Sequence, residues 1–175
     1  MTRHLLSHFV LLSVCVNLLS AAESTLQPFR SPDGKFTVSL PGVPERTEET
    51  AGSADTGTKQ VQYLLGNTEG AYLVSHQDAP HLGNADAATQ EQALLSAQNG
   101  AQHALKGTLR SSRKITLQQH PGREYELEVA NGTGLLRSRM YLAHGRLYQL
   151  IVVGTPTFAN SANAGQFLDS LRLEP

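Results

Sequence analysis

Apolar and polar residues alternate in short blocks along this chain, and most blocks have the period of two that predicts strands. The densest stretch is Arg123 to Gly154, REYELEVANGTGLLRSRMYLAHGRLYQLIVVG, with three strand-like runs joined by two Gly-containing turns. Pairing Ala130 with Leu135 across the first turn sets Glu128 against Arg137 and Glu126 against Arg139, two opposite-charge matches from one register. The second turn, His144-Gly145, suits a type I′ hairpin, whose two central residues need positive φ. It pairs Ala143 with Arg146, Leu142 with Leu147 and Tyr141 with Tyr148.

Parity then sorts the side chains into two faces. Tyr125, Leu127, Val129, Leu136, Met140, Leu142, Leu147, Ile151 and Val153 share one face, expected to take a helix. Glu124, Glu126, Glu128, Arg137, Arg139, Tyr141, Tyr148, Leu150 and Val152 share the other, which grades from charged to apolar. Its apolar end needs cover, and its charged end can face water. Arg146 to Val153 is apolar on both sides and belongs in the middle of the sheet.

Outside this meander, Pro32-Asp33-Gly34 is a turn, Lys35 to Leu40 a half-buried strand, and Glu45 to Thr50 a polar edge strand. Ala51 to Gly57 reads as a mobile loop. Thr58 to Leu65 and Ala71 to Gln77 form two strands about a turn at 66–70. Asn84 to Leu105 has helical spacing, with a cap at Asn84 or Asp86 and a stop at Gly107. Its apolar stripe is Leu94, Ala97, Ala101, Ala104 and Leu105, and Gly100 marks a kink or a close approach to the sheet. Thr108 to Gln118 carries another strand, and His120-Pro121-Gly122 is read as the turn into the meander. A short helix over Ser161 to Ser170, with Phe167 and Leu168 inward, and a last strand at Leu171-Arg172-Leu173 close the chain. The predicted class is α+β: an antiparallel sheet of about six to eight strands, one long helix on one face and a short C-terminal helix.

The first 22 residues change the domain count and the destination. Arg3, the apolar run Phe9 to Leu19 and Ser20-Ala21-Ala22 have the form of a secretory signal peptide cleaved after Ala22, leaving one domain over 23–175. Val14 precedes Cys15, which is not the small residue a lipobox needs, so Cys15 belongs to the leader and the mature chain has no cysteine. Export to a periplasmic or extracellular space is expected, without disulfides. Setting Arg3 aside leaves 13 basic and 15 acidic residues, a formal charge of −2. Nucleic acid is therefore not an expected partner, and no span follows the leader.

Candidate chemistry is sparse. Asp55-Thr56-Gly57 matches an aspartic-protease tripeptide but lacks the apolar strand that holds such a carboxylate against its mate. His76, His81, His103, His120 and His144 lack the short regular spacing of metal ligands, so neither a metal nor a cofactor is expected. His120 and Glu124 are a possible base and carboxylate, without a nucleophile motif. Asn131-Gly132-Thr133 is a glycosylation sequon that also reads as a turn. Tyr72, Tyr141 and Tyr148 form an aromatic strip. The expected ligand or partner surface is Tyr141, Tyr148 and Leu150 with Arg137 and Arg139, where apolar and charged halves meet.

SPDGKFTVSLPGVP, HPGREYELE, RMYLAHGRLYQLIVVG and FLDSLRL together resemble small secreted domains of environmental bacteria, planctomycete-type especially, with a fold similar to the PsbP/Mog1 type. The resemblance covers nearly all of 23–175. It implies a sheet with packed helices and a binding or assembly role, for an unknown protein or small-molecule ligand, and transfers no site residue. The expected function is an exported, non-enzymatic binding or accessory domain. The alternatives are a small hydrolase or metal-dependent enzyme at His120/Glu124, and a structural subunit of an envelope assembly.

Overall fold

Arg146–Gly154 is the fourth of seven antiparallel strands, the central place its two apolar faces require. The computed structural model describes residues 25–51 and 58–174, so the leader and the Asp55-Thr56-Gly57 tripeptide lie outside the described residues. In chain order the elements are β1 (Gln27–Arg30), β2 (Phe36–Leu40), β3 (Glu45–Ala51), β4 (Thr58–Gly66), β5 (Gly70–Asp78), α1 (Pro80–Gly83) and α2 (Ala87–Ala104). There follow β6 (Thr108–Leu117), β7 (His120–Val129), β8 (Gly134–Ala143), β9 (Arg146–Gly154), α3 (Pro156–Ala159), α4 (Ala162–Asp169) and β10 (Arg172–Leu173). The main sheet runs β3-β4-β5-β9-β8-β7-β6, and a second sheet, β1-β2-β10, lies apart from it.

Both faces of β8 and β9 are covered, by different parts of the chain. On one face Tyr63, Tyr72, Val74, Tyr141, Tyr148, Leu150 and Val152 pack against Phe36, Val38 and Leu40 of β2 and Phe167 and Leu168 of α4. On the other, Tyr125, Leu127, Leu136, Met140 and Leu142 take Leu94 of α2, with Ala93, Ala97 and Ala101 half-buried beside it. The two face assignments made from parity hold for every residue in these clusters.

The register at the first meander turn does not hold. Val129 pairs with Gly134 and Leu127 with Leu136, so Glu126 faces Arg137 and Glu124 faces Arg139. Ala130, Asn131 and Gly132 all adopt positive φ (50°, 55° and 90°), and the Thr133 N–H donates to the Ala130 carbonyl at 3.2 Å. Ala130 is thus consumed by the turn. The slip is two residues, and an even slip returns every side chain to its own face. At the second turn His144 (φ 52°) and Gly145 (φ 70°) make the expected hairpin, with Tyr141 opposite Tyr148.

Three smaller expectations are corrected. The turn into β7 is Gln118-Gln119 (φ 48° and 71°), and His120 already lies in the strand opposite Leu117. Lys106 (φ 50°) takes the left-handed position after α2. Ala104 and Leu105 face solvent, whereas Gln98 is buried. Gln98 is drawn inward because Ser112 donates to its Oε1 at 2.5 Å and Arg123 donates to Ser112 at 2.6 Å and to Glu91. Asp86 is the cap of α2, accepting from the Thr89 N–H at 2.7 Å.

Two glycines test this packing in opposite directions. Gly100 is exposed on α2 with nothing near its missing Cβ, so neither a kink nor a close approach explains it. Gly122 lies under the ring of Tyr141 on the neighbouring strand, where a Cβ would collide with the ring and with the Met140 carbonyl. In urea denaturation Gly100→Ala is expected to stabilise the fold by about 0.5–1 kcal/mol, and Gly122→Ala to destabilise it by about 1–3 kcal/mol.

Candidate functional site

At one end of the main sheet, β5 stops, the β8–β9 turn projects and β7 begins. Pro80 at the first helical position starts the single turn of α1, and the Ala79 N–H donates to the Gly145 carbonyl at 2.8 Å, tying α1 to the hairpin tip. Between α1, the start of α2 and the start of β7 lies a cleft of about 670 Å³. Its lining brings apolar Pro80, Leu82, Pro121 and Leu142 together with polar Asn84, Gln90, His120 and His144. The Gln90 amide donates to the Leu82 carbonyl at 3.0 Å, which joins α2 to α1. His120 and His144 meet edge to face with ring centroids 4.7 Å apart. Burial, and then the neighbouring His144, hold the His120 imidazole below its ordinary range, so it is neutral at pH 7. Asp78 and Arg146, at the rim, pair with each other at 2.7 Å, and Arg146 also donates to the Asp33 carbonyl at 3.0 Å. No Ser, Thr, Cys or Lys is among the described residues that line this cleft.

A second polar cluster anchors the β1–β2 turn. Tyr63 donates to Asp33 at 2.6 Å, Arg46 donates to the same carboxylate at 2.7 Å, and Ser31 lies 3.1 Å from it and 2.9 Å from the Tyr63 hydroxyl. Partial burial pushes the Asp33 carboxyl up, but the hydrogen bonds from Tyr63, Arg46 and Ser31 outweigh it and hold the group well below the carboxylate range. His76 is buried between Phe36 and Tyr148, and its Nε2 is 3.7 Å from Asp33, an electrostatic contact beyond hydrogen-bond distance. Burial lowers its pKa despite that carboxylate. Every hydroxyl and carboxylate here is already bonded within the cluster, which fits a clamp and not a nucleophile.

The surface expected at Tyr141, Tyr148 and Leu150 is closed. These residues are 4%, 1% and 0% exposed, beneath β2 and the C-terminal helices, as is Tyr72. The cover comes from the small sheet, whose strands are too far apart in sequence for local pattern to place them there. Arg137 and Arg139 are committed inward. Arg137 pairs with Glu126 at 3.1 Å and donates to the Ala159 carbonyl at 3.0 Å. Arg139 pairs with Glu124 and Asp169 and donates to the Leu168 carbonyl at 3.0 Å. The ladder thus fastens α3 and α4 to the sheet.

His120 and Glu124 are not brought together, since Glu124 accepts from Arg113 and Arg139 while His120 lies against His144. His81, His103 and Asn131 are exposed singly. Among the described residues no three His, Asp or Glu side chains converge on one point. The His120–His144 meeting went unnoticed in sequence, although register arithmetic contains it. Extending the Gly122–Tyr141 pairing two residues sets His120 opposite Ala143, beside His144.

No family model and no curated protein matches the sequence. Among solved structures the chain is similar to the cyanobacterial PsbP of Synechocystis sp. PCC 6803, with a TM-score of 0.58 at 10% identity, covering 88% of this chain and 95% of that one. It also matches a Pseudomonas aeruginosa protein of unknown function described as a putative regulator, with a TM-score of 0.39 at 12% identity over 77% of this chain and 85% of that one. The first likeness establishes a PsbP-like α+β fold and nothing about activity. No helix among the described residues is long and apolar enough to cross a membrane.

Two variants test the clamps. Arg139→Met leaves the Leu168 carbonyl without its side-chain donor and Glu124 with Arg113 alone, and is expected to destabilise the domain by about 1–3 kcal/mol in urea denaturation. Asp33 has a folded pKa below its unfolded one, so its stabilisation is fully present above the unfolded value near 4 and is lost as the pH falls through the folded value. Melting temperature is expected to fall on acidification below about pH 4, with a shallower fall in Asp33→Asn.

Proposed function

We propose that this chain is an exported, non-enzymatic binding or accessory domain, and that it takes its ligand in the cleft beside His120 and His144. The observation that carries this reading is the cleft itself. Its volume of about 670 Å³ falls among those of small-molecule sites, and its lining combines apolar side chains with a few polar ones. Its lining holds no Ser, Thr, Cys or Lys, and its one carboxylate, Asp78, is paired with Arg146, which favours recognition over covalent catalysis. Export rests on the leader pattern of residues 1–22, and a bacterial secreted origin rests on the sequence blocks described above. A partner other than nucleic acid fits the mildly acidic charge.

The hydrolase alternative is weakened by the separation of His120 from Glu124, whose carboxylate is shared between two arginines. The chain, expressed whole in a Gram-negative host, is expected in the periplasm with Glu23 as its first residue, read by intact mass. Amide NMR of that protein with mixtures of small polar fragments is expected to move resonances of Gly83, Asn84, His120 and His144 together. Recovery of uncleaved chain from the cytoplasm overturns export. Shifts scattered away from the cleft, or turnover of a fragment, overturn the binding reading.

A further inference from the structure

We infer that the His120–His144 cleft selects small organic carboxylates with an apolar body, and holds them more tightly as the pH falls through the imidazole range. The inference rests on the reading of the cleft as the ligand site and adds the class of ligand.

The apolar side chains of Pro80, Leu82, Pro121 and Leu142 in the lining suit a hydrocarbon body. The same lining holds two imidazoles whose ring centroids are 4.7 Å apart, and its one carboxylate, Asp78, is paired with Arg146. The charged groups facing the pair are few. Asp78 at the end of β5 is paired with Arg146 at the start of β9, and Arg146 is further engaged by the Asp33 carbonyl. From α1 the cleft receives Pro80, Leu82 and Gly83, and from α2 the neutral Gln90, whose amide nitrogen is spent on Leu82. From β7 it receives Pro121 beside His120.

Protonating His120 in this setting puts a cation against the neighbouring His144 with no negative charge free to offset it, since Asp78 is paired with Arg146, which opposes the proton. An anion seated against both rings supplies that charge and accepts an N–H from each. Proton uptake and anion binding therefore reinforce one another: the anion raises the affinity of the pair for protons, and acidification raises its affinity for the anion. The depressed basicity of His120 agrees with this coupling, because burial and His144 are its causes and an anion offsets the second. A phosphate dianion fits less well, since the one guanidinium at the rim is already divided between Asp78 and the Asp33 carbonyl. A metal ion lacks a third convergent ligand among the described residues.

Benzoate and benzamide share a shape and differ in charge, so they separate the ligand class from the site. The protein lacking residues 1–22 is titrated with each at pH 5.5 and 7.5, with Kd from amide shifts and imidazole protonation from histidine ring resonances. Benzoate is expected to bind at least about fivefold more tightly at pH 5.5 than at 7.5, raising the His120 ring pKa, with benzamide unaffected by pH. His120→Gln and His144→Gln are each expected to weaken the pH dependence, and the double variant to abolish it, while the remaining amide spectrum stays dispersed as in the parent protein. Should either variant unfold, the histidine ring titration of the parent with and without benzoate decides alone. Equal, pH-independent binding of both probes in the cleft overturns the carboxylate assignment and leaves the cleft as a ligand site. Benzoate shifts elsewhere, or none, overturn the inference, and the fragment screen then judges the cleft separately.

Discussion

The pairing of β8 with β9 across the His144-Gly145 turn is the constraint on which the rest of the molecule depends. It places Tyr141 against Tyr148 and Arg139 against Leu150, and it leaves apolar side chains on both sides of the middle strand. A strand that is apolar on both faces needs cover on both, and each fully covered Leu or Val there contributes about 1.5–3 kcal/mol. One cover is local: α2 precedes the meander and lies on β7 and β8. The other is assembled from the two ends of the chain, because β2 and α4 close the opposite face and β10 pairs with β2. β2, α4 and β10 are therefore structural parts of the core. The cover is also incomplete. Beyond α2, Leu73, Ile151 and Val153 stay half-buried and Leu64 is 41% exposed.

The charged half of the second face obeys a different logic. Ion pairs on open surfaces contribute little. Those of Arg137 and Arg139 are partly covered and also satisfy helix-terminal carbonyls at Ala159 and Leu168, groups that have no partner within their own helices. The same guanidinium groups neutralise Glu126 and Glu124, so the junction between wet sheet and packed helices holds no unpaired charge. This explains why a row of alternating charges, which suggests recognition when read in one dimension, is an internal fastening. The cluster of Ser31, Asp33, Arg46 and Tyr63 serves the small sheet in the same way.

The cleft arises where those arrangements stop. The strands end at unequal lengths, α1 bridges the gap, and the residues left over are those that neither core nor clamp employs: two histidines, an asparagine and a glutamine. A site of this kind does not announce itself by motif, since its members come from 78–90, 120–121 and 142–146 and meet only through register.

The local pattern of the chain determined the strands of the main sheet, its long helix, the type I′ turn at His144-Gly145 and the face to which each meander residue belongs, because side-chain parity has a period of two and needs only neighbours. The same pattern was blind to an even slip. Moving from Ala130–Leu135 to Val129–Gly134 preserves every face, and the choice was made by three consecutive left-handed residues and by Arg110, which engages Glu128 from the next strand. Tertiary structure alone decided that Tyr141, Tyr148 and Leu150 lie under cover, that Gln98 is pulled inward in place of Leu105, and that His120 meets His144. Each of these outcomes is a contact between segments far apart in the chain, and a residue's own neighbours carry no record of what will be folded over it.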